Sequence, residues 1–177
     1  MNPNRAIAVI ATLLGMYSLP LFAADTAGIL CASTDKIVFS CSLATSKKIV
    51  SMCASSDAKR FYYAYGLSAT PELVYPARDQ SSDGVFMRSH LVYGGASGGT
   101  AYSFVKQGYK YIVYSVSGTG SQDGGVIVQR PGDTGVAKKM QCQSSKIVES
   151  QDDGVIDATL KWKSDSQIAA HGLPGTR

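Results

Sequence analysis

The chain has 177 residues, 45% of them hydrophobic, with 17 Lys+Arg against 13 Asp+Glu and a formal net charge of +4. The length suits one compact domain with a real core. The charge excess is mild and the lysines stand singly or in pairs, Lys47-Lys48 and Lys138-Lys139. No basic stripe with interleaved aromatics marks a nucleic-acid binder.

At the N-terminus, Arg5 supplies a positive charge, Ala6 to Phe22 form an apolar run, and Ala23-Ala24 offer small residues for a signal peptidase. This order is that of an export signal cut after Ala23. An apolar run of about 17 residues is at the short limit for a span, and Pro20 interrupts it, so no stable membrane span is expected after cleavage. The expected organisation is a signal peptide over 1–23, a single β domain over 24–170 and a flexible tail over 171–177. The mature chain is then periplasmic or secreted, where thiols oxidise. Cys31, Cys41, Cys53 and Cys142 allow three pairings into two disulfides. A zinc site is disfavoured because no C-x-x-C occurs and the histidines are His90 and His171 alone. No metal or cofactor is expected.

The periodicity reads as strand repeatedly. Lys36–Cys41 and Lys48–Cys53 are short β-rich runs joined by a polar turn at 44–47. Arg60–Tyr65 follows. Glu72–Tyr75 lies between Pro71 and Pro76 and suits an edge strand, since neither proline donates to a ladder. Val85–Tyr93 alternates with no obvious buried face. Thr100–Val105 and Tyr109–Val116 flank a hairpin turn at Lys106-Gln107-Gly108. Val126–Val128 is the next strand, closed by Pro131-Gly132-Asp133. Val155–Trp162 fits either a strand or one to two helical turns. Asp83-Gly84, Asp123-Gly124 and Asp153-Gly154 read as tight turns, without the ligand spacing of a calcium loop. About eight strands with Gly and Pro between them predict an all-β protein, an antiparallel sandwich or barrel with a disulfide-tied N-terminal arm.

Phe39-Ser40-Cys41, Ser51-Met52-Cys53, Tyr63-Ala64-Tyr65-Gly66 and Pro71-Glu72-Leu73-Val74-Tyr75-Pro76 occur in that order. Together they resemble a family of small, largely uncharacterised exported proteins of Gram-negative bacteria. The likeness runs from Lys36 to Cys142, with Phe104, Gly108-Tyr109, Tyr111, Gly125-Val126 and Val128 also in place. It departs at Lys47, which replaces a turn glycine, and in lacking a late cysteine after Val155 while having Cys31 upstream. The resemblance brings no activity. Carried onto this chain, it suggests Cys41 joined to Cys53 across the first hairpin, leaving Cys31 for Cys142.

A second likeness is carried by Ser97-Gly98-Gly99-Thr100-Ala101-Tyr102, which is similar to the S-G-x-x-Y segment of periplasmic inhibitors of c-type lysozyme, with its tyrosine one residue late. It implies a loop inserted into an enzyme cleft. Glycines such as Gly98 let a backbone enter a narrow cleft, and Ser97 would offer a hydroxyl to the catalytic carboxylates. Lys106 or Lys110 would supply opposing charge, and Tyr102 an aromatic anchor. A flexible hairpin loop is the plainer reading. Gly95-Ala96-Ser97-Gly98-Gly99 also spells G-x-S-x-G, but that elbow needs a strand before it and a helix after, so a serine hydrolase with Ser97 and His90 is disfavoured. The expected function is non-catalytic: a protein-binding module, an inhibitor or immunity protein whose partner is a lysozyme-like enzyme or toxin. The alternative is a structural, envelope-associated β domain.

Overall fold

The computed structural model describes residues 28–68, 70–130 and 135–175. The expected signal segment 1–23, the turn at Pro131-Gly132-Asp133 and the last two tail residues lie outside the described residues. Nine strands precede two short helices: β1 Lys36–Leu43, β2 Ile49–Ala54, β3 Phe61–Leu67, β4 Thr70–Tyr75, β5 Met87–Tyr93, β6 Ser97–Lys106, β7 Tyr109–Gly118, β8 Ser121–Gln129, β9 Val136–Glu149, α1 Asp153–Leu160 and α2 Ser166–His171. They form one antiparallel sheet in the order β4-β3-β2-β1-β9-β8-β7-β6-β5, curled into a half-barrel.

The sheet is two meanders joined through β9. The first part of β9 pairs with β8, from Val136 opposite Gln129 to Gln141 opposite Gly125. Its second part pairs with β1, from Cys142 opposite Leu43 to Glu149 opposite Phe39. Both edges are open. β4 carries Pro71 and stops at Pro76, as its prolines require.

Inward side chains of the two meanders meet across the concave face. Val50, Met52, Phe61 and Tyr63 from one half pack with Phe104, Val113 and Val126 from the other. Aromatic rings bind the halves together: Tyr63 and Tyr75 lie 5.1 Å and 5.5 Å from Phe104, centroid to centroid. At one end Trp162, just after α1, closes the core against Phe61 at 4.7 Å, Phe86 at 5.4 Å and Tyr102 at 6.0 Å. Trp162 is the only tryptophan of the chain. Its emission will therefore report this closure, blue-shifted in the folded protein and red-shifted in one cooperative step with denaturant; a shift preceding the loss of far-ultraviolet β signal would show α1 detaching on its own.

The convex face is covered as well. The arm 28–35 crosses β1–β3, with Leu30 buried beside Ile49, Tyr62 and Ala64. Hydrogen bonds seat it: Leu30 N–H donates to Ser51 Oγ at 2.9 Å, Ala32 N–H to the Tyr62 hydroxyl at 2.9 Å, that hydroxyl to Asp35 at 2.8 Å, and Arg78 Nη2 to the Leu30 carbonyl at 3.3 Å. Burial and the nearby Asp35 carboxylate push the Tyr62 phenol up to about 12. Over β5–β8 the cover is α2 and the residues after it: Ile168 and Leu173 pack on Leu91, Ile112, Tyr114 and Ile127. The stretch expected to be a loose tail is thus docked at Leu173, which is 4% exposed.

The disulfides join Cys31 to Cys53 and Cys41 to Cys142. This corrects the pairing that the family resemblance suggested, and the cause is local. The β1–β2 register slips between Ile37 and Phe39, a bulge that places Phe39 opposite Met52. An unbroken ladder would leave Cys41 on the same face as Cys53; one inserted residue turns it over. Cys41 enters the concave core with Cys142, and Cys53 stays on the convex face where the arm brings Cys31.

Two of the three expected Asp-Gly turns are also corrected. Asp83-Gly84 is a turn, with Gly84 at φ 69°. Asp123-Gly124 lies inside β8, and Asp153-Gly154 opens α1, where the Asp152 carboxylate accepts from Val155 N–H. That cap decides the open question over 155–162 for helix.

Candidate functional site

At the end of the half-barrel opposite Trp162 the two meanders part and leave a cleft of about 500 Å³. One wall is Tyr63, Tyr65 and Leu73. The other is Tyr109, Tyr111, Val128 and Met140. Strand alternation produces this lining: Tyr63 and Tyr65 on β3, and Tyr109 and Tyr111 on β7, are i, i+2 pairs on the concave face. The floor is fixed by stacking, with the Tyr111 ring 5.0 Å from Phe104 and 5° from parallel, and 6.0 Å from Tyr63. Burial, and the neighbouring phenols, hold the Tyr63 hydroxyl far above the ordinary tyrosine range, so it stays neutral.

The rim is polar. Glu72 pairs with Lys48 at 2.8 Å, and Lys48 also lies over the Tyr65 ring at 5.1 Å. Lys106 lies over Tyr75 at 5.7 Å, and Lys138 is exposed at the edge. Among the described residues the only acid of the lining, Glu72, is thus already neutralised, while Lys106 and Lys138 have no carboxylate within 4.0 Å. The tip of the β6–β7 hairpin forms one lip. Gln107 and Gly108 take φ of 51° and 79°, the pair of positive values of a two-residue hairpin turn. On either side Val105 is 50% and Tyr109 41% exposed.

The residues singled out in the sequence do not form one patch. Ser97 and Gly98 open β6 beside an exposed turn at Gly94-Gly95-Ala96. Tyr102 is buried on the concave face against Trp162. Lys110 points from the convex face, where its ammonium meets Asp165 at 2.6 Å. The Ser97–His90 constellation is not assembled. Ser97 stands opposite Tyr93 and His90 opposite Thr100, three register positions apart, so the two side chains leave opposite faces of the sheet. Among the described residues no group of three or more His, Cys, Asp or Glu is placed to hold a metal ion, and no helix is long and apolar enough to cross a membrane. The tyrosine cleft was not singled out in the sequence, although Tyr63, Tyr65, Tyr109 and Tyr111 were each placed on strands. The two i, i+2 tyrosine pairs were its signal.

No family model, curated protein or solved structure matches the chain.

Proposed function

We propose that this protein is an exported, non-catalytic binding module that docks an acidic partner into its tyrosine cleft, with a cell-wall-degrading enzyme or a toxin as the partner. The observation that supports this reading is the cleft itself: tyrosines over a stacked aromatic floor, flanked by Lys106 and Lys138, which have no carboxylate within 4.0 Å among the described residues. Tyrosine supplies large apolar contact at small entropic cost and anchors protein interfaces. Lys106 at the hairpin tip supplies the charge that the sequence likeness assigned to Lys106 or Lys110; Lys110 is already engaged by Asp165. Carboxylates flanking the scissile bond of a wall-degrading glycosidase would complement it. Two disulfides suit work in an oxidising compartment.

The test is inhibition of a panel of muramidases and wall-active toxins by the oxidised protein. One enzyme is expected to be inhibited at one-to-one stoichiometry, with inhibition weakened at least about ten-fold by Tyr109→Ser or Lys106→Glu and weakened by added salt. Loss on Val92→Arg with Tyr109→Ser neutral would move the surface to the Gly94–Ala96 turn. No inhibition across the panel sinks the inhibitor reading.

A further inference from the structure

A second, smaller hollow of about 210 Å³ lies at the other end of the half-barrel and is lined by Arg88, Thr100, Tyr102, Glu149, Gln151 and Thr159 among others. It is independent of the tyrosine cleft. Arg88 sits on β5 directly opposite Tyr102 on β6, so its side chain lies on the concave face. Its Nε–H is buried with no hydrogen-bond partner; its Nη2 reaches Thr100 Oγ1 at 3.5 Å, the outer limit for such a bond, and the guanidinium also meets the Tyr102 hydroxyl. Glu149, at the end of β9, accepts from Gln122 Nε2 at 3.3 Å. Among the described residues neither charge takes part in an ion pair, with each other or with any other residue.

A partly exposed guanidinium and a partly exposed carboxylate thus face one hollow, among the described residues neither within 4.0 Å of an opposite charge, and each can take a further charged partner. A simple anion at Arg88 meets the Glu149 charge across the hollow, and a simple cation at Glu149 meets Arg88. We infer that the hollow binds a small zwitterion, a free α-amino acid, with its carboxylate on the Arg88 guanidinium and its ammonium on Glu149. The planar fork of arginine matches a carboxylate's two oxygens. The volume is that of roughly seven waters, room for an amino acid with a short side chain. Val38, Val155 and Ile156 offer that side chain an apolar wall.

Titration calorimetry on the purified oxidised chain, with L-alanine, D-alanine, acetate and ethylamine as probes, tests this. At least one alanine enantiomer binds ten-fold or more tightly than either single-charge probe, and Arg88→Gln and Glu149→Gln each weaken it at least ten-fold. The Trp162 emission of each variant checks folding, and Glu149→Gln carries the test should Arg88→Gln fail it. Absence of alanine binding overturns the inference. So does acetate binding as tightly as alanine and unmoved by Glu149→Gln, which makes the hollow a plain anion site.

Discussion

Replacing Cys41 and Cys142 together by alanine is expected to lower stability by about 4.7 kcal/mol, the chain-entropy value for a closed loop of that length. The bond spans 101 residues, from β1 to the middle of β9. It is also the covalent tie across the seam on which the half-barrel depends, since β9 is the strand that joins the two meanders. The Cys31–Cys53 bond closes a loop of only 22 residues, and for its removal the same relation gives about 3 kcal/mol. Urea denaturation of the two double variants, preceded by non-reducing peptide mapping of the parent, measures both. Equal losses, or the larger loss at Cys31–Cys53, would show that the arm and not the seam limits stability.

Asp165→Ala is expected to cost about 3 kcal/mol, the low end for breaking a buried pair, because Lys110 keeps some contact with solvent. The Asp165 side chain is 4% exposed and that of Lys110 19%. The carboxylate accepts from Ser103 Oγ at 2.7 Å and from the Gln167 and Ile168 N–H groups, so it both caps α2 and anchors it to β6 and β7. Burial by itself raises its pKa; the Lys110 ammonium and the Ser103 hydroxyl outweigh that and hold it below the usual carboxylate value. A depressed folded pKa means stability that is complete above the unfolded value of about 3.9 and lost as pH falls through the folded one. Asp165→Asn keeps a good cap and loses the charge. It should cost less than Asp165→Ala, and its melting temperature should fall less steeply below pH 4 than that of the parent. A parallel acid profile would show that Lys110 contributes nothing there.

The all-β class and eight of the strands were legible because Val, Ile, Phe and Tyr recur in short runs punctuated by Gly and Pro. The strand missed was β9. Its fourteen residues include Lys138-Lys139, Gln141 and Gln143-Ser144-Ser145-Lys146, and Cys142 alone is buried. A strand that spends one half on each meander shows no sustained alternation. The start of β8 was hidden for a different reason. Ser121-Gln122-Asp123-Gly124-Gly125 reads as a turn, yet the glycines are there because the neighbouring backbone is close: a Cβ on Gly125 would stand 2.3 Å from the Met140 carbonyl oxygen. The disulfide pairing turned on one bulged residue, which no spacing reveals. The cleft is built from Tyr63, Tyr65 and Leu73 on one meander and Tyr109, Tyr111 and Met140 on the other. Their separation along the chain is why runs of neighbouring residues pointed instead to the Ser97 turn.

The position of β9 also sets an order of events. Strands β1 to β4 precede the rest of the sheet along the chain and can pair among themselves without it, but the second neighbour of β1 is β9, which follows all the other strands. Until it arrives, β1 is a bare edge holding a thiol whose partner is 101 residues downstream. An open ladder of this kind recruits other chains. Fragments ending before Val136 should therefore collect as aggregates and wrongly bridged dimers, and the completed chain should depend on a thiol–disulfide isomerase for its yield.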